Sequence, residues 1–226
     1  RGRFVGEALV DVVERADGSP TEHAGGSPAN VAVGLGRLGL DVTLATSIGD
    51  DAYGALIESH LGDASVTLTE DSRGLGLTSS AIARLDSDGS ATYEFDITWD
   101  PGLIAAPYGV SAVHTGSIAA TLAPGADDVE VLLRELAPQA IVSLDPNIRQ
   151  QLLHDHEDVA RRIDRMVVLA DIVKVSDEDL AWLCPDEPAE SVAGRWLEAG
   201  PSVVVITRGA DGSTAFARSG RLDVSV

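Results

Sequence analysis

Between residues 110 and 207, short apolar runs alternate with longer amphipathic stretches, a pattern that few folds accommodate. Residues 110–114, 140–145, 172–175 and 203–207 are runs of strand length rich in Val and Ile, whereas 124–136, 157–169, 178–183 and 189–199 carry apolar residues at helical spacing. Strands that are apolar throughout are covered on both faces, and helices between them serve as crossovers. The pattern therefore implies an α/β fold, with a mainly parallel central sheet and helices on both faces. Residues 213–217 and 222–226 add an antiparallel-looking pair. A chain of 226 residues with 44% hydrophobic content is long enough for one sizeable core, so residues 1–226 read as a single domain.

In open α/β sheets, ligands gather at the carboxyl ends of the strands. Here those ends carry Thr115-Gly116-Ser117, Asp145-Pro146-Asn147-Ile148-Arg149, Lys174-Val175-Ser176-Asp177-Glu178-Asp179 and Thr207-Arg208-Gly209-Ala210-Asp211-Gly212. The planar fork of Arg149 suits a phosphate or carboxylate. Thr207 and Gly209 offer a hydroxyl and backbone N–H groups to phosphate oxygens, and Asp179 suits a hydrated Mg²⁺. Each stretch also reads as an ordinary loop, helix cap or turn, and Ser176 reads as an N-cap in either case.

The first half is less regular. Residues 4–13 read as one strand with Asp11 near its carboxyl end, placed for a ligand, and residues 41–48 read as another strand, followed by a helix at 53–61. Two extended segments, 78–85 and 91–97, are joined by a turn at Asp86-Ser87-Asp88-Gly89-Ser90, and Asp17-Gly18-Ser19-Pro20 marks a second turn. Segments of about 12–24 and 78–98 are expected to form a small β flap, a candidate lid. Ala81, Ala83 and Leu85 alternate on one face of it, which suggests a covered surface and a homodimer through the lid.

One turn concentrates unusual residue types: Gly25-Gly26-Ser27-Pro28-Ala29-Asn30, which opens a helix reaching about Leu38 and ending at Gly39. Ser27 suits the N-cap, Pro28 the first helical position and Gly39 the left-handed C′ position. Val31, Leu35 and Leu38 form an apolar stripe, while Ala29, Ala32, Gly34 and Gly36 leave another face thin enough to pack close to a sheet. Gly25 and Gly26 let a ligand approach the main chain, and the Asn30 amide is both donor and acceptor, a grip suited to a hydroxylated ligand. The polar residues before this turn are not the buried strand that a dinucleotide fingerprint requires.

A net charge of −20 argues against a nucleic-acid groove and against anionic membrane surfaces. The only cysteine, Cys184, reads as a packing residue and permits no intrachain disulfide. His154 and His156 lie in a polar turn and read as exposed. With no apolar run of membrane-spanning length and no leader pattern, a cytoplasmic location is expected.

Gly25, Gly26, Pro28, Asn30, Ala32, Gly39 and Gly49 fill a signature made of a Gly pair, a small residue, Asn and later fixed glycines. Gly6 to Asp11 and Asp145-Pro146-Asn147-Ile148-Arg149 match two further segments. Through these positions the chain resembles the ribokinase-like (PfkB-type) carbohydrate kinases, most closely their fructokinase-like branch, along nearly its whole length. The resemblance implies ATP-dependent phosphorylation of a sugar hydroxyl, that of fructose or a related ketose, with sugar and ATP as small-molecule partners. A 2-keto-3-deoxygluconate (sugar-acid) kinase and a non-catalytic sugar- or nucleotide-binding protein are the alternatives. It further implies that Asp11, Gly25, Gly26 and Asn30 bind sugar hydroxyls, with Arg149 near the substrate or the transferred phosphate. Lys174, Ser176, Thr207 and Gly209 fall on the nucleotide side. Asp179 reaches Mg²⁺ through water, although Ser176 and Asp179 stand where the family usually has Asn-x-x-Glu, and K⁺ is a further candidate ion. The family's Asp-x-x-Gly-Ala-Gly-Asp segment, which carries its anion hole and catalytic base, is expected beyond Val226, so no catalytic residue falls within the chain and its carboxyl-terminal part is expected to be missing.

Overall fold

The computed structural model describes residues 1–15, 19–74, 76–85, 91–102, 104–106 and 108–226. The expected turns at Asp17-Gly18 and Asp86 to Ser90 lie outside these residues. The chain divides into two compact units, Arg1–Ile104 and Ala105–Val226.

In the first unit β1 (Gly2–Val5), β2 (Leu9–Glu14), β3 (Pro20–Gly25), α1 (Ser27–Arg37), β4 (Val42–Ala45), α2 (Ala52–Asp63), β5 (Val66–Leu68), β6 (Ser80–Leu85) and β7 (Ala91–Asp96) follow in order. Strands β1, β4 and β5 pair in parallel, with Gly2 opposite Val42 and Leu44 opposite Leu68. All four residues of β4 are buried, as a strand covered on both faces requires. Helix α1 lies against this sheet by its thin face, burying Ala29, Ala32, Val33 and Gly36. A Cβ at Gly36 would stand 2.2 Å from the Ala64 carbonyl oxygen, so only glycine permits this approach. Of the expected stripe, Val31 and Leu35 are partly buried and pack at the margin of the same core, whereas Leu38 is 77% exposed.

The expected strand over residues 4–13 is instead two strands in two sheets. The chain crosses at Gly6-Glu7-Ala8, where Gly6 N–H donates to the Ala45 carbonyl (3.0 Å) and Ala8 N–H donates to Thr46 Oγ1 (2.9 Å). Beyond the crossing, β2 joins a separate four-stranded sheet of order β3-β2-β6-β7, antiparallel to β3 and parallel to β6. Asp11 therefore sits inside a strand of the small sheet rather than at the end of a main-sheet strand. The small sheet starts at Leu9, somewhat before the expected flap boundary. Val10, Val12 and Ile82 face the apolar core, and Arg84 pairs with Glu14 and Glu94 beyond it.

The entry to β6 is tied to the start of α2 by Asp51. Its carboxylate caps the helix by accepting Gly54 N–H (2.8 Å), and it also accepts the Thr78 N–H (2.8 Å) and hydroxyl (2.7 Å). The Thr78 hydroxyl oxygen accepts Gly49 N–H (2.9 Å), and the next residue, Ser79, bonds through its hydroxyl to both backbone groups of Thr98.

In the second unit β8 (Ala112–Gly116), α3 (Ile118–Thr121), α4 (Gly125–Leu136), β9 (Ile141–Asp145), α5 (His156–Leu169), β10 (Ile172–Ser176), α6 (Asp177–Leu183), α7 (Ala189–Ala199), β11 (Val203–Thr207), β12 (Ser213–Ala217) and β13 (Gly220–Val224) build one sheet. Its order follows the sequence: β8 to β11 are parallel, and β12 and β13 fold back antiparallel as the pattern implied. Val113, Val142, Leu144, Val173, Val175, Val204 and Ile206 are buried on one face, whereas His114, Ser143, Asp145, Lys174, Ser176 and Thr207 alternate onto the other. Helices α4 and α5 are joined by the buried Glu130 carboxylate, which accepts from Arg165 Nε at 2.8 Å. Short α3 is absent from the sequence pattern because four residues carry no period. His154 and His156 are exposed, as expected, and no helix among the described residues is long and apolar enough to cross a membrane.

Burial pushes the Asp51 carboxyl upward, but the bonds from Thr78 and Gly54 outweigh it and hold the group below the ordinary aspartate range. Asp51→Ala is expected to cost about 2 to 3 kcal/mol at neutral pH, through loss of the cap and of the bonds to Thr78. Because the folded-state pKa is depressed, that contribution is complete above pH about 4 and fades as acid protonates the folded carboxylate. Denaturant unfolding of both proteins from pH 7 to pH 3 checks the size and the narrowing gap.

Candidate active site

The first unit brings together four of the residues singled out from the sequence. Gly26 occupies the N-cap of α1 with φ 103° and ψ 132°, and Ser27 is the first helical residue rather than the cap. The reason is Glu7, buried at the sheet crossing, whose Oε1 accepts Ser27 N–H (3.3 Å) and so serves the helix start from a remote position. A Cβ at Gly26 would stand 2.4 Å from the Glu7 carbonyl oxygen. Asn30 N–H bonds the Gly26 carbonyl (2.9 Å), and the Asn30 side chain is exposed on the first turn. Gly25 pairs with Leu9 across β2 and β3, and a Cβ there would lie 2.3 Å from Asp11 Oδ2. The exposed Asp11 carboxylate thus rests against the bare main chain of Gly25. An exposed anionic acceptor and, on the turn that follows Gly25 and Gly26, an exposed neutral amide suit the hydroxyl groups of a ligand. Glu7 escaped the sequence reading; an acid inside an otherwise apolar run was the available signal.

The second unit holds the remaining candidates. Asp145, at the end of β9, receives Lys174 Nζ at 3.1 Å through Oδ2, while its buried Oδ1 has no hydrogen-bond partner among the described residues. Burial pushes the Asp145 carboxyl up, against the pull of the Lys174 ammonium. On β8, His114 Nδ1 lies 3.2 Å from Ser143 Oγ, and burial together with Lys174 pushes this imidazole down to about 4. Lys174, expected on the nucleotide side, is engaged in this ion pair.

From Asp145 the chain turns through Asn147, whose φ is 40°, to the exposed Arg149. Ser117 N–H donates to the carbonyls of Asp145 (3.1 Å) and Pro146 (3.0 Å), and Ile148 N–H donates to Asp179 Oδ1 (2.9 Å). Ser176 caps α6 as expected: its hydroxyl accepts Asp179 N–H (3.0 Å), and Asp179 Oδ2 accepts Ser176 N–H in return (3.5 Å). Asp179 is 8% exposed, with both oxygens turned to backbone donors, and so fits poorly as a holder of hydrated Mg²⁺. Among the described residues no group of three or more His, Cys, Asp or Glu side chains is arranged for a metal.

Thr207 ends β11 opposite Ser176 on one side and Ser213 on the other, and Gly209 is exposed with φ 52°. The neighbouring Arg208 is committed to Thr214 (2.7 Å) and Glu190 (3.2 Å). Cys184 is only half-buried, near Arg195, with burial pushing its thiol up.

Residues 4–225 match the model of the pfkB family of carbohydrate kinases. A fructokinase of Rhizobium leguminosarum bv. trifolii is 32% identical over 230 residues, covering 97% of this chain and 70% of that protein. A 5-dehydro-2-deoxygluconokinase of Clostridium perfringens is 29% identical over 216 residues, covering 88% of this chain and 64% of that protein. Among solved structures, a Xylella fastidiosa fructokinase with bound ATP superposes with a TM-score of 0.86 at 26% identity, covering 99% of this chain and 77% of its own.

Two glycine substitutions are expected to separate ligand contact from stability. In Gly25→Ala only the Asp11 carboxylate has to move, so the cost is under about 1 kcal/mol. Gly26→Ala places a side chain at a left-handed φ and against the Glu7 backbone, costing about 3 kcal/mol. Thermal and denaturant unfolding of both variants checks the contrast. Both glycines lie inside the matched stretch, as do Asp11, Asn30, Arg149 and Thr207, and the chain belongs to the pfkB family of carbohydrate kinases.

Proposed function

We propose that this chain phosphorylates a hydroxyl of fructose or a related ketose with ATP. The observation that carries the reading is the Asp11 carboxylate resting on Gly25 beside the Gly26 and Asn30 turn. The similarity to a fructokinase along 97% of the chain supports the same substrate class, and the ATP bound to the Xylella fastidiosa relative supports the phosphoryl donor.

Asp11 accepts bonds from sugar hydroxyls, Asn30 both donates and accepts, and the two glycines let the Asp11 carboxylate and the Glu7 main chain close on the turn that carries them. Arg149 presents its fork to the phosphoryl group or to an anionic part of the substrate. The Thr207 hydroxyl and the Gly209 backbone N–H meet ATP phosphates, with Ser176 beside Thr207 on the nucleotide side. Lys174 acts by fixing Asp145 and adds positive potential to the same strand ends. Mg²⁺ enters as the ATP complex and neutralises phosphate charge, and K⁺ is a further candidate ion. These residues bind and orient; removal of the proton from the attacking hydroxyl is assigned to none of them. The small sheet closes over the sugar as a lid, and its face with Ala81 and Ala83 pairs with a second copy. A cytoplasmic location fits an ATP-consuming reaction.

A sugar-acid kinase is the second reading, favoured by the relative that acts as a 5-dehydro-2-deoxygluconokinase and by the exposed Arg149. A coupled ADP-release assay of the full-length protein over fructose, ribose, 2-keto-3-deoxygluconate and nucleosides separates the readings. The highest kcat/KM is expected with fructose or another ketose; a preference for the sugar acid transfers the assignment, and no turnover with any of them overturns the kinase reading. Asn30→Ala should raise the sugar KM about tenfold and leave the ATP KM within about twofold, whereas equal losses contradict its role.

A further inference from the structure

We propose that Asp179 is a positioning residue for Arg149 rather than a holder of the metal that accompanies ATP. Its carboxylate stands where three backbone segments meet. Oδ1 accepts the Ile148 N–H at 2.9 Å, one residue before Arg149. Oδ2 accepts the Ser176 N–H at 3.5 Å, at the end of β10, while the Asp179 N–H returns to the Ser176 hydroxyl at 3.0 Å. At 8% exposure both oxygens face N–H donors. The carboxylate is thereby committed first to the chain, with little of its surface left for a metal-bound water.

The loop that Asp179 holds is bonded along its length, and the Asp179 carboxylate supplies the bond at its centre. Between Asp145 and Arg149 the backbone bends at Asn147, a non-glycine residue with φ 40°, a conformation that persists only when neighbours enforce it. Behind the bend, Ser117 N–H fixes the Asp145 and Pro146 carbonyls, and Lys174 fixes the Asp145 carboxylate. Ahead of it the Ile148 to Asp179 bond holds the residue before Arg149, and Leu152 N–H donates to the Arg149 carbonyl (2.9 Å), so the exposed Arg149 side chain takes its direction from backbone fixed on both sides. A charge-assisted bond of this kind anchors a backbone more firmly than a neutral one. The short Ser176-x-x-Asp179 capping box therefore spends its carboxylate inward, on α6 and the Arg149 loop.

The kinetic arm of the test rests on the kinase reading; the exchange arm does not. In the full-length protein, Asp179→Ala should speed hydrogen exchange of the Ile148 amide by roughly tenfold or more, with the remainder of β9 unchanged. It should raise the sugar KM or lower kcat about tenfold, with the Mg²⁺ concentration for half-maximal rate within about twofold of the parent. Asp179→Asn, which keeps an acceptor for Ile148 N–H, should lose less on both counts and serves if the alanine variant folds poorly. In an Arg149→Met background, Asp179→Ala should add less than about twofold, because its effect runs through Arg149. Unchanged Ile148 protection in Asp179→Ala overturns the proposal. So does a raised Mg²⁺ requirement in Asp179→Asn, or a full additional loss in the Arg149→Met background. A parent protein that turns over no sugar removes the kinase reading and leaves the exchange result to decide the positioning claim alone.

Discussion

A buried carboxylate at the sheet crossing sets the geometry of the first unit. Glu7 is 4% exposed and stands where the chain leaves β1 and the parallel strands to enter the small sheet as β2. A carboxyl group so deep in the protein requires partners, and the Ser27 N–H at the start of α1 is one of them. The crossing and the helix start are consequently one structure. Beyond the crossing, the register of β2 against β3 sets Asp11 on Gly25, with Asn30 on the following turn. The carboxylate-on-glycine contact that we assign to the sugar follows from that arrangement rather than from any feature of the turn taken alone.

The second unit achieves a comparable result with different means. Its parallel strands place alternate residues on one face, so the ends of β9, β10 and β11 present Asp145, Ser176 and Thr207 together. Lys174 pairs with Asp145 through Oδ2, and burial together with the same ammonium keeps His114 neutral near physiological pH. Backbone donors from Ser117, Ser176 and Ile148 bond the Asp145 and Pro146 carbonyls and the Asp179 carboxylate around the Arg149 loop. Arg149 is left as the exposed cation at the end of a tightly bonded segment.

What the sequence disclosed depended on whether local chemistry or distant contacts decided the outcome. Apart from the short α3, the strands and helices from β8 to β13 were legible because apolar runs and helical periods follow from local pattern and burial. The small sheet was legible as two extended segments outside the alternation, and Gly39 as a left-handed helix end with φ 83°. The crossing at Gly6 to Ala8 was not, since residues 4–13 are apolar enough for a single strand and only the competing pairings with β4 and β6 divide them. The buried face of α1 was half legible: its small residues showed a thin side, which meets the Ala64 carbonyl at Gly36, while Val31 and Leu35 pack at the margin of the core and only Leu38 stays outside. At the site, residue types were readable and their partners were not. Asp11 and Gly25 stood out separately, yet their contact is a matter of strand register. Asp179 has the same carboxylate whether it turns outward to a metal or inward to Ile148, and only the fold chooses.

The central claim is that the Asp11 carboxylate and the Asn30 amide hold the sugar against the bare backbone of Gly25 and Gly26. A crystal structure of the full-length protein with bound fructose tests it most directly. We predict sugar hydroxyl oxygens within about 3.2 Å of Asp11 and Asn30, with the ring over the Gly25-Gly26 main chain. Fructose bound elsewhere, with Asp11 and Asn30 left in solvent, would contradict the account.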